Sequence, residues 1–299
     1  MAFKELIRSK RPHLADSSVN TYNSILTSLA KKVFGDALNE PGGMGAKTFG
    51  DTKRVIAFLS SVPPGRRKTI LSALVVASDE PASRVYREQM LRDVEAYDKT
   101  IAEQEKTPTQ AKNWVHGPEI EVLWEKLRRN AAALYKKEVL HMLDYQEIQD
   151  FVILSLYGGH YIAPRRSQDY THFKIKSVDP GKDNYMTKNE LVFNAYKTHR
   201  TYGQQRVAIP AELKTILTKW AKTNPTEYLF FDTRRAPLTS VKLNQRLNKL
   251  FGKKVGVNAL RHTYLTDKYH ATIETNRQLK DDMAAMGSST DMAATYIKK

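Results

Sequence analysis

Four short stretches of the chain combine residue types that can act on a phosphate ester. In Pro164-Arg165-Arg166-Ser167-Gln168-Asp169-Tyr170, two adjacent guanidiniums offer planar forks of donors that match phosphate oxygens. Two arginines before a polar turn are also a common solvated surface, so this stretch alone leaves both readings open. In Tyr196-Lys197-Thr198-His199-Arg200 the ammonium of Lys197 is either ordinary surface or a general acid carried on a turn. In Asn258-Ala259-Leu260-Arg261-His262-Thr263-Tyr264-Leu265, Asn258 and Arg261 are three apart and share one helix face, while Leu260 and Tyr264 share another. In the stretch from Met286 to Tyr296, Ser289 or Thr290 can cap a helix with Asp291 in its first turn, and Tyr296 is either a packing residue or a nucleophile.

The chain that carries these stretches has 299 residues, more than one compact core usually needs, which suits two domains. Lys and Arg number 48 against 32 Asp and Glu, a formal net charge of +16. That excess fits a polyanion, nucleic acid first and an anionic membrane surface second, better than a small acidic substrate. Cysteine is absent, which excludes disulfides, a thiolate nucleophile, iron–sulfur clusters and cysteine-containing zinc fingers. Neither an obvious metal-ligand cluster nor a nucleotide-binding glycine loop is present, so no cofactor and no metal are expected. No apolar run approaches about 18 residues, so no membrane span is expected. The opening residues lack the apolar core of a signal peptide.

The elements that must position the four stretches are mostly helical. Val19, Tyr22, Ile25, Leu26, Leu29 and Val33 recur at helical spacing behind Asp16-Ser17-Ser18, and Pro41 to Gly45 breaks the chain. Further helices are predicted over Thr52 to Leu59, from Arg66-Arg67-Lys68 through Val75, and from Pro81-Ala82-Ser83 onward. Residues 1–102 thus form a helical domain. Glu103 to Gly117 loses periodicity and gains Pro, Thr, Gln and Gly, and reads as a linker over 103–117. Residues 118–299 form the second domain. Its helix starts at Pro118 with Glu119 and Glu121 in the first turn. Leu191 to Tyr196 and Arg206 to Pro210 flank a Gly203 turn as a β-hairpin. Helices follow over Ala211 to Ala221, Val241 to Phe251, 257–271 and 279–286, with Gly287 at a C′ position and a last short helix at Tyr296. The fold class is mainly α with a small β-sheet.

The four stretches taken in order resemble the tyrosine recombinase (phage integrase) family. Its motifs read Arg-x-Ser-Glu, a hairpin Lys, His-x-Leu-Arg-His-Thr, and Leu-Gly-His-Ser followed by a Tyr. Here Arg165-Arg166-Ser167-Gln168 matches the first, with Gln168 where Glu is usual and Asp169 in the carboxylate's supporting role. Lys197 matches the second, Asn258-Ala259-Leu260-Arg261-His262-Thr263 the third, and Met286-Gly287-Ser288-Ser289 with Tyr296 the fourth. The sequence departs from the pattern at Asn258, where the family has His, and at Ser288, where it has His or Trp. The spacing from Ser288 to Tyr296 is also about one residue short. The resemblance covers the C-terminal half, and residues 1–102 resemble the family's core-binding domain.

The resemblance implies a two-domain, C-shaped clamp on double-stranded DNA and an intracellular location, wherever the target DNA resides. Arg165 and Arg261 would hold the scissile phosphate, with Asn258 and Ser288 as further donors. Tyr296 would form a 3′-phosphotyrosyl link and Lys197 would protonate the leaving 5′-oxygen. His262 is either a proton handler or a buried structural histidine. Arg66, Arg67, Lys68, Arg166, Lys253 and Lys254 would contact DNA. The implied assembly is a homo-tetramer on two DNA sites, without a membrane partner. Two other readings remain: a recombinase-derived DNA-binding protein that has lost its chemistry through Asn258 and Ser288, and a type IB topoisomerase. The second is disfavoured because Ser288 to Asp291 contains no lysine.

Overall fold

The computed structural model describes residues 3–35 and 47–297. The break expected at Pro41 to Gly45 lies outside them. The chain divides into two compact units, Met1–Lys106 and Thr107–Lys299. Among the described residues no helix is long and apolar enough to cross a membrane.

The first unit contains helices α1 (Lys4–Lys10), α2 (Asp16–Phe34), α3 (Thr52–Leu59), α4 (Pro64–Ala77) and α5 (Ala82–Ala102). Val19, Leu26, Leu29, Ala30 and Val33 form the buried stripe of α2 and pack with Phe3, Ile7, Phe49, Leu71, Leu74 and Tyr86. Asp51 caps α3 by accepting from the Arg54 amide at 3.0 Å. Pro64 opens α4, where a missing N–H is harmless. Asp16 is the first residue of α2 and pairs with Arg8.

The second unit begins earlier than the composition suggests. Of the linker expected over 103–117, residues 103–106 fall in the first unit and 107–117 in the second. Thr107 and Gln110 form a reciprocal capping box that starts α6 (Pro108–Asn113). Val115 is fully buried in the second core, and its carbonyl accepts from Thr263 Oγ1 at 2.6 Å. Ala111, Trp114 and Val115 among polar residues make no helical or strand repeat, which is why the segment reads as a loop.

The second core lies among α7 (Gly117–Leu134), α8 (Met142–Tyr157), α9 (Ser167–Tyr170), α11 (Ala211–Thr223), α12 (Ser240–Phe251) and the start of α13 (Val257–Ala285). The second half of α8, from Phe151 to Tyr157, is buried at every position, the mark of a helix end enclosed by other elements. A three-stranded antiparallel sheet has the order β1 (Tyr185–Met186), β2 (Glu190–Phe193), β3 (Gln205–Ala208). Phe193 pairs with Gln205, so the connection 194–204, with its helical turn α10 (His199–Tyr202), springs from that pair. α14 (Ala293–Tyr296) follows a 3₁₀ turn at Thr290–Met292.

Two predicted helices over 257–271 and 279–286 are one continuous helix, α13. The polar stretch between them has no breaker, and Glu274 and Arg277 pair along it at 3.6 Å. Gly287 ends the helix at φ +71°, with the Ser288 amide bonded to Met283 O at 2.8 Å.

Candidate functional site

The site is built around Arg165, which follows α8 through a short irregular segment. Its Nε donates to Asp169 Oδ2 at 2.8 Å and its Nη1 to Gln205 Oε1 at 2.8 Å. Its guanidinium lies over the Phe193 ring at 3.9 Å and 5.2 Å from the Tyr196 centroid. Arg165 therefore touches the last residue of β2 and the first of β3, the two feet of the 194–204 connection. Lys197 stands on that connection, exposed and without an ion-pair partner among the described residues. Asn184 fixes the same loop: it donates to Asp169 O and Ala195 O and accepts from the amides of Asn194 and Ala195.

Asp169 is buried, and Oδ1 has no hydrogen-bond partner among the described residues. Burial raises its pKa above the ordinary carboxylate value, while Arg165, Arg166 and Arg261 pull it back down. Arg261 stands on the second turn of α13, close enough for its charge to act on the same carboxylate. Both arginines also act on the phenol of Tyr157. Thr263 bonded to Val115, and Gly159 beneath Tyr264, seat this end of α13. A Cβ on Gly159 would lie 2.7 Å from Tyr264 Cδ2, and its φ of +84° also favours glycine.

Of the expected residues, the structure gathers Arg165, Asp169, Arg261 and the loop bearing Lys197. Gln168 is exposed, so the carboxylate that supports Arg165 is Asp169, one residue on. Arg166 is half-buried and close enough to act on Asp169. Asn258 and His262 are exposed on α13, before and after Arg261. The buried structural histidine considered for His262 is thereby excluded.

Ser288 and Tyr296 are elsewhere. They follow the far end of α13, about 30–40 Å along the helix axis from Arg261. Tyr296 is 57% exposed. The site within one chain thus lacks the residue expected to attack. The tyrosines that do surround the arginines are Tyr157, Tyr170 and Tyr196. Tyr157 and Tyr170 are buried, and burial holds their hydroxyls well above the ordinary phenol pKa, which suits packing rather than attack. Tyr196 reaches the surface, but its hydroxyl donates to Gly203 O at 2.7 Å.

Two expected DNA contacts are engaged in the fold instead. Arg67 grips the buried Asp93 in a two-pronged pair, 2.7 Å from Nε and 2.5 Å from Nη2. Lys253 Nζ donates to Trp114 O at 2.7 Å and to Glu119 at 2.8 Å, tying α6 and α7 to the start of α13. Lys68 lies 3.4 Å from the centre of the Tyr97 ring. Arg66 and Lys254 are exposed, although the Lys254 amide donates to Asn113 Oδ1.

Gln205, bonded to Arg165, and Asn184, bonded to the 194–204 connection, are neighbours that the sequence reading missed. Each is a polar residue in a polar, turn-rich stretch, and nothing in its spacing marks it. Comparison of the chain with protein-family models, curated proteins and solved structures finds no match.

Proposed function

We propose that the chain is a DNA strand-cleaving and rejoining enzyme of the tyrosine recombinase type. The observation that supports this best is the convergence of Arg165 and Arg261 on Asp169, beside the loop that carries Lys197. Arg165, held by a buried carboxylate and a ring face, and Arg261, close enough to act on the same carboxylate, would supply donors for an anionic phosphorus centre. The basic chain supplies the general attraction to duplex DNA. The two units would close on it as a clamp.

In this reading the Tyr296 hydroxyl oxygen attacks phosphorus, and the bond from phosphorus to the 5′-oxygen breaks. The phenolic proton passes to His262. Lys197 gives a proton to the leaving 5′-oxygen, and the DNA stays joined to the protein through a 3′-phosphotyrosyl ester. Attack by the free 5′-hydroxyl on that ester reverses the steps and seals the strand, so no nucleotide hydrolysis is required. Integration or excision of a mobile or viral element is the process that such chemistry serves.

One observation favours a second reading. Because Tyr296 is remote from the arginines of its own chain, a DNA-binding protein without strand cleavage also fits. Incubation in EDTA with nicked duplexes tiled across the DNA flanking the protein's own coding sequence separates the two. A slow band on a denaturing gel, absent from Tyr296→Phe, supports the enzyme. Salt-dependent binding without any such band supports the binder.

A further inference from the structure

The second unit holds a cavity of about 460 Å³ between α7 and α11, beside Phe151 of α8. That size suits a small organic molecule. None of the residues expected to act on DNA lines it. Its walls are aromatic. Trp124 lies on α7 and Tyr135 at its end, Phe151 on α8, and Tyr161 in the segment that leads to Arg165. The Trp124 ring centre lies 5.7 Å from that of Phe151 and 6.0 Å from that of Tyr161. The Trp124 N–H already donates to Ser155 Oγ at 2.9 Å, so the indole offers the cavity apolar ring surface and no free donor. Flat rings set close together favour a flat apolar body among them.

Two cations stand at this cavity, and they are not equivalent. Arg128 grips Glu125 with two bonds of 2.7 Å. Lys219 has no carboxylate partner among the described residues, and its ammonium lies 4.1 Å from the centre of the Tyr135 ring. A ring face holds that ammonium in place but leaves its N–H donors free for an oxygen. Glu212 is the acid at the cavity. It stands seven residues before Lys219 on α11, about 10 Å along the helix axis. It lies beside the Tyr161 hydroxyl, whose pKa is raised by burial and by that carboxylate. The acidic and basic ends are therefore separate, and an anion seated at Lys219 stays clear of Glu212.

We infer that this cavity is a binding site for a flat, apolar organic anion. The ring body lies against Trp124, Phe151 and Tyr161, and the carboxylate lies at Lys219. The inference goes beyond the recombinase reading and does not depend on it. A cationic head in the same place would meet Lys219 and Arg128, and a neutral one would leave the Lys219 donors unused.

The test titrates the full chain, with its three tryptophan indoles labelled with ¹⁵N, with naphthalene-2-carboxylate. Naphthalene-2-carboxamide and naphthalen-2-ylmethylamine carry a neutral and a cationic head on the same rings. Trp124→Phe assigns the Trp124 N–H signal. The inference expects saturable binding at one site that moves this signal. It expects the carboxylate to bind about fivefold more tightly than the amide, the worth of an ion pair open to solvent, and the amine to bind more weakly than either. Lys219→Gln should abolish that preference and leave the affinity for the amide unchanged. Thr215→Trp fills the cavity from α11 and Ala132→Phe fills it from α7, and each should block binding. Both positions are exposed, and thermal melting shows whether each variant is folded. Equal affinity for the three heads, a preference for the amine, or unchanged binding in the folded cavity-filling variants overturns the inference. So does the absence of any saturable shift of the Trp124 signal up to the solubility limit of the carboxylate.

Discussion

Arg165 and Asp169 lie four residues apart and meet at 2.8 Å, Nε to Oδ2, while Arg165 Nη1 reaches across to Gln205 on β3. One guanidinium thus couples the end of α9 to the foot of the loop bearing Lys197. In the recombinase reading Asp169 would be a positioning residue that aims Arg165 without touching substrate. Asp169→Asn keeps the shape but loses the charge, and the aim of Arg165 loosens. Adduct formation should then fall on the order of 10²-fold, with DNA affinity little changed. Asp169→Glu, which restores a carboxylate, should recover part of the loss. Equal losses in binding and cleavage would show that Asp169 supports only the fold.

Lys197 offers a separable test of proton donation. It is exposed and has no ion-pair partner among the described residues, so Lys197→Ala should leave the melting transition within about 0.5 kcal/mol of the wild type. Strand cleavage should fall roughly 10²- to 10⁴-fold. A substrate whose leaving 5′-oxygen is replaced by sulfur needs no proton to depart and should be cleaved by the variant at nearly the wild-type rate. Failure of sulfur to rescue would assign Lys197 to binding instead.

Arg66 and Arg67 are adjacent in sequence and should behave oppositely. Arg67 is bound to Asp93, whose carboxylate is 4% exposed and is held below its ordinary pKa by that guanidinium. Arg67→Ala strands a buried carboxylate and should cost about 3 kcal/mol in urea unfolding. Because the pKa of Asp93 is lowered on folding, the pair's contribution is complete above the ordinary value of 3.8 and is lost as pH falls through the lower folded value. Arg66→Ala should leave stability unchanged and reduce the salt dependence of DNA binding by about one phosphate's worth. Equal slopes for Arg66→Ala and wild type would remove Arg66 from the DNA contacts.

His160 sits between Glu121, 2.9 Å away, and the Trp124 ring, 4.9 Å between centroids. Burial lowers its pKa from 6.5 and outweighs the opposing pull of Glu121. The unfolded chain therefore takes up the proton first as pH falls. The stability difference between wild type and His160→Gln should be constant above pH 6.5 and should shrink as pH drops below it. A difference that grows on acidification would mean that the Glu121 pair prevails over burial.

Much of this architecture is legible in the sequence wherever apolar spacing and breakers coincide. Thr52–Leu59 has both, as does the hairpin around Gly203, and Gly287 marks the end of α13 by its own conformation. The convergence of Arg165 and Arg261 is not legible from spacing, since α8, β2 and α13 meet only in three dimensions. The length of α13 is hidden for a different reason. Its distal half buries almost nothing, so it has helix-forming residues but no apolar stripe to announce them. Arg67 and Lys253 illustrate a further limit: composition counts charges but does not show which already have partners inside the fold.

The most direct test of the central claim is to digest the trapped adduct and map the modified peptide by mass spectrometry. The account predicts a nucleotide joined through a 3′-phosphate to the Tyr296 hydroxyl, and none on Arg261→Ala assayed alone. Attachment at Tyr196, the surface tyrosine beside Arg165, would contradict it, as would the absence of any phosphotyrosyl peptide while DNA binding persists.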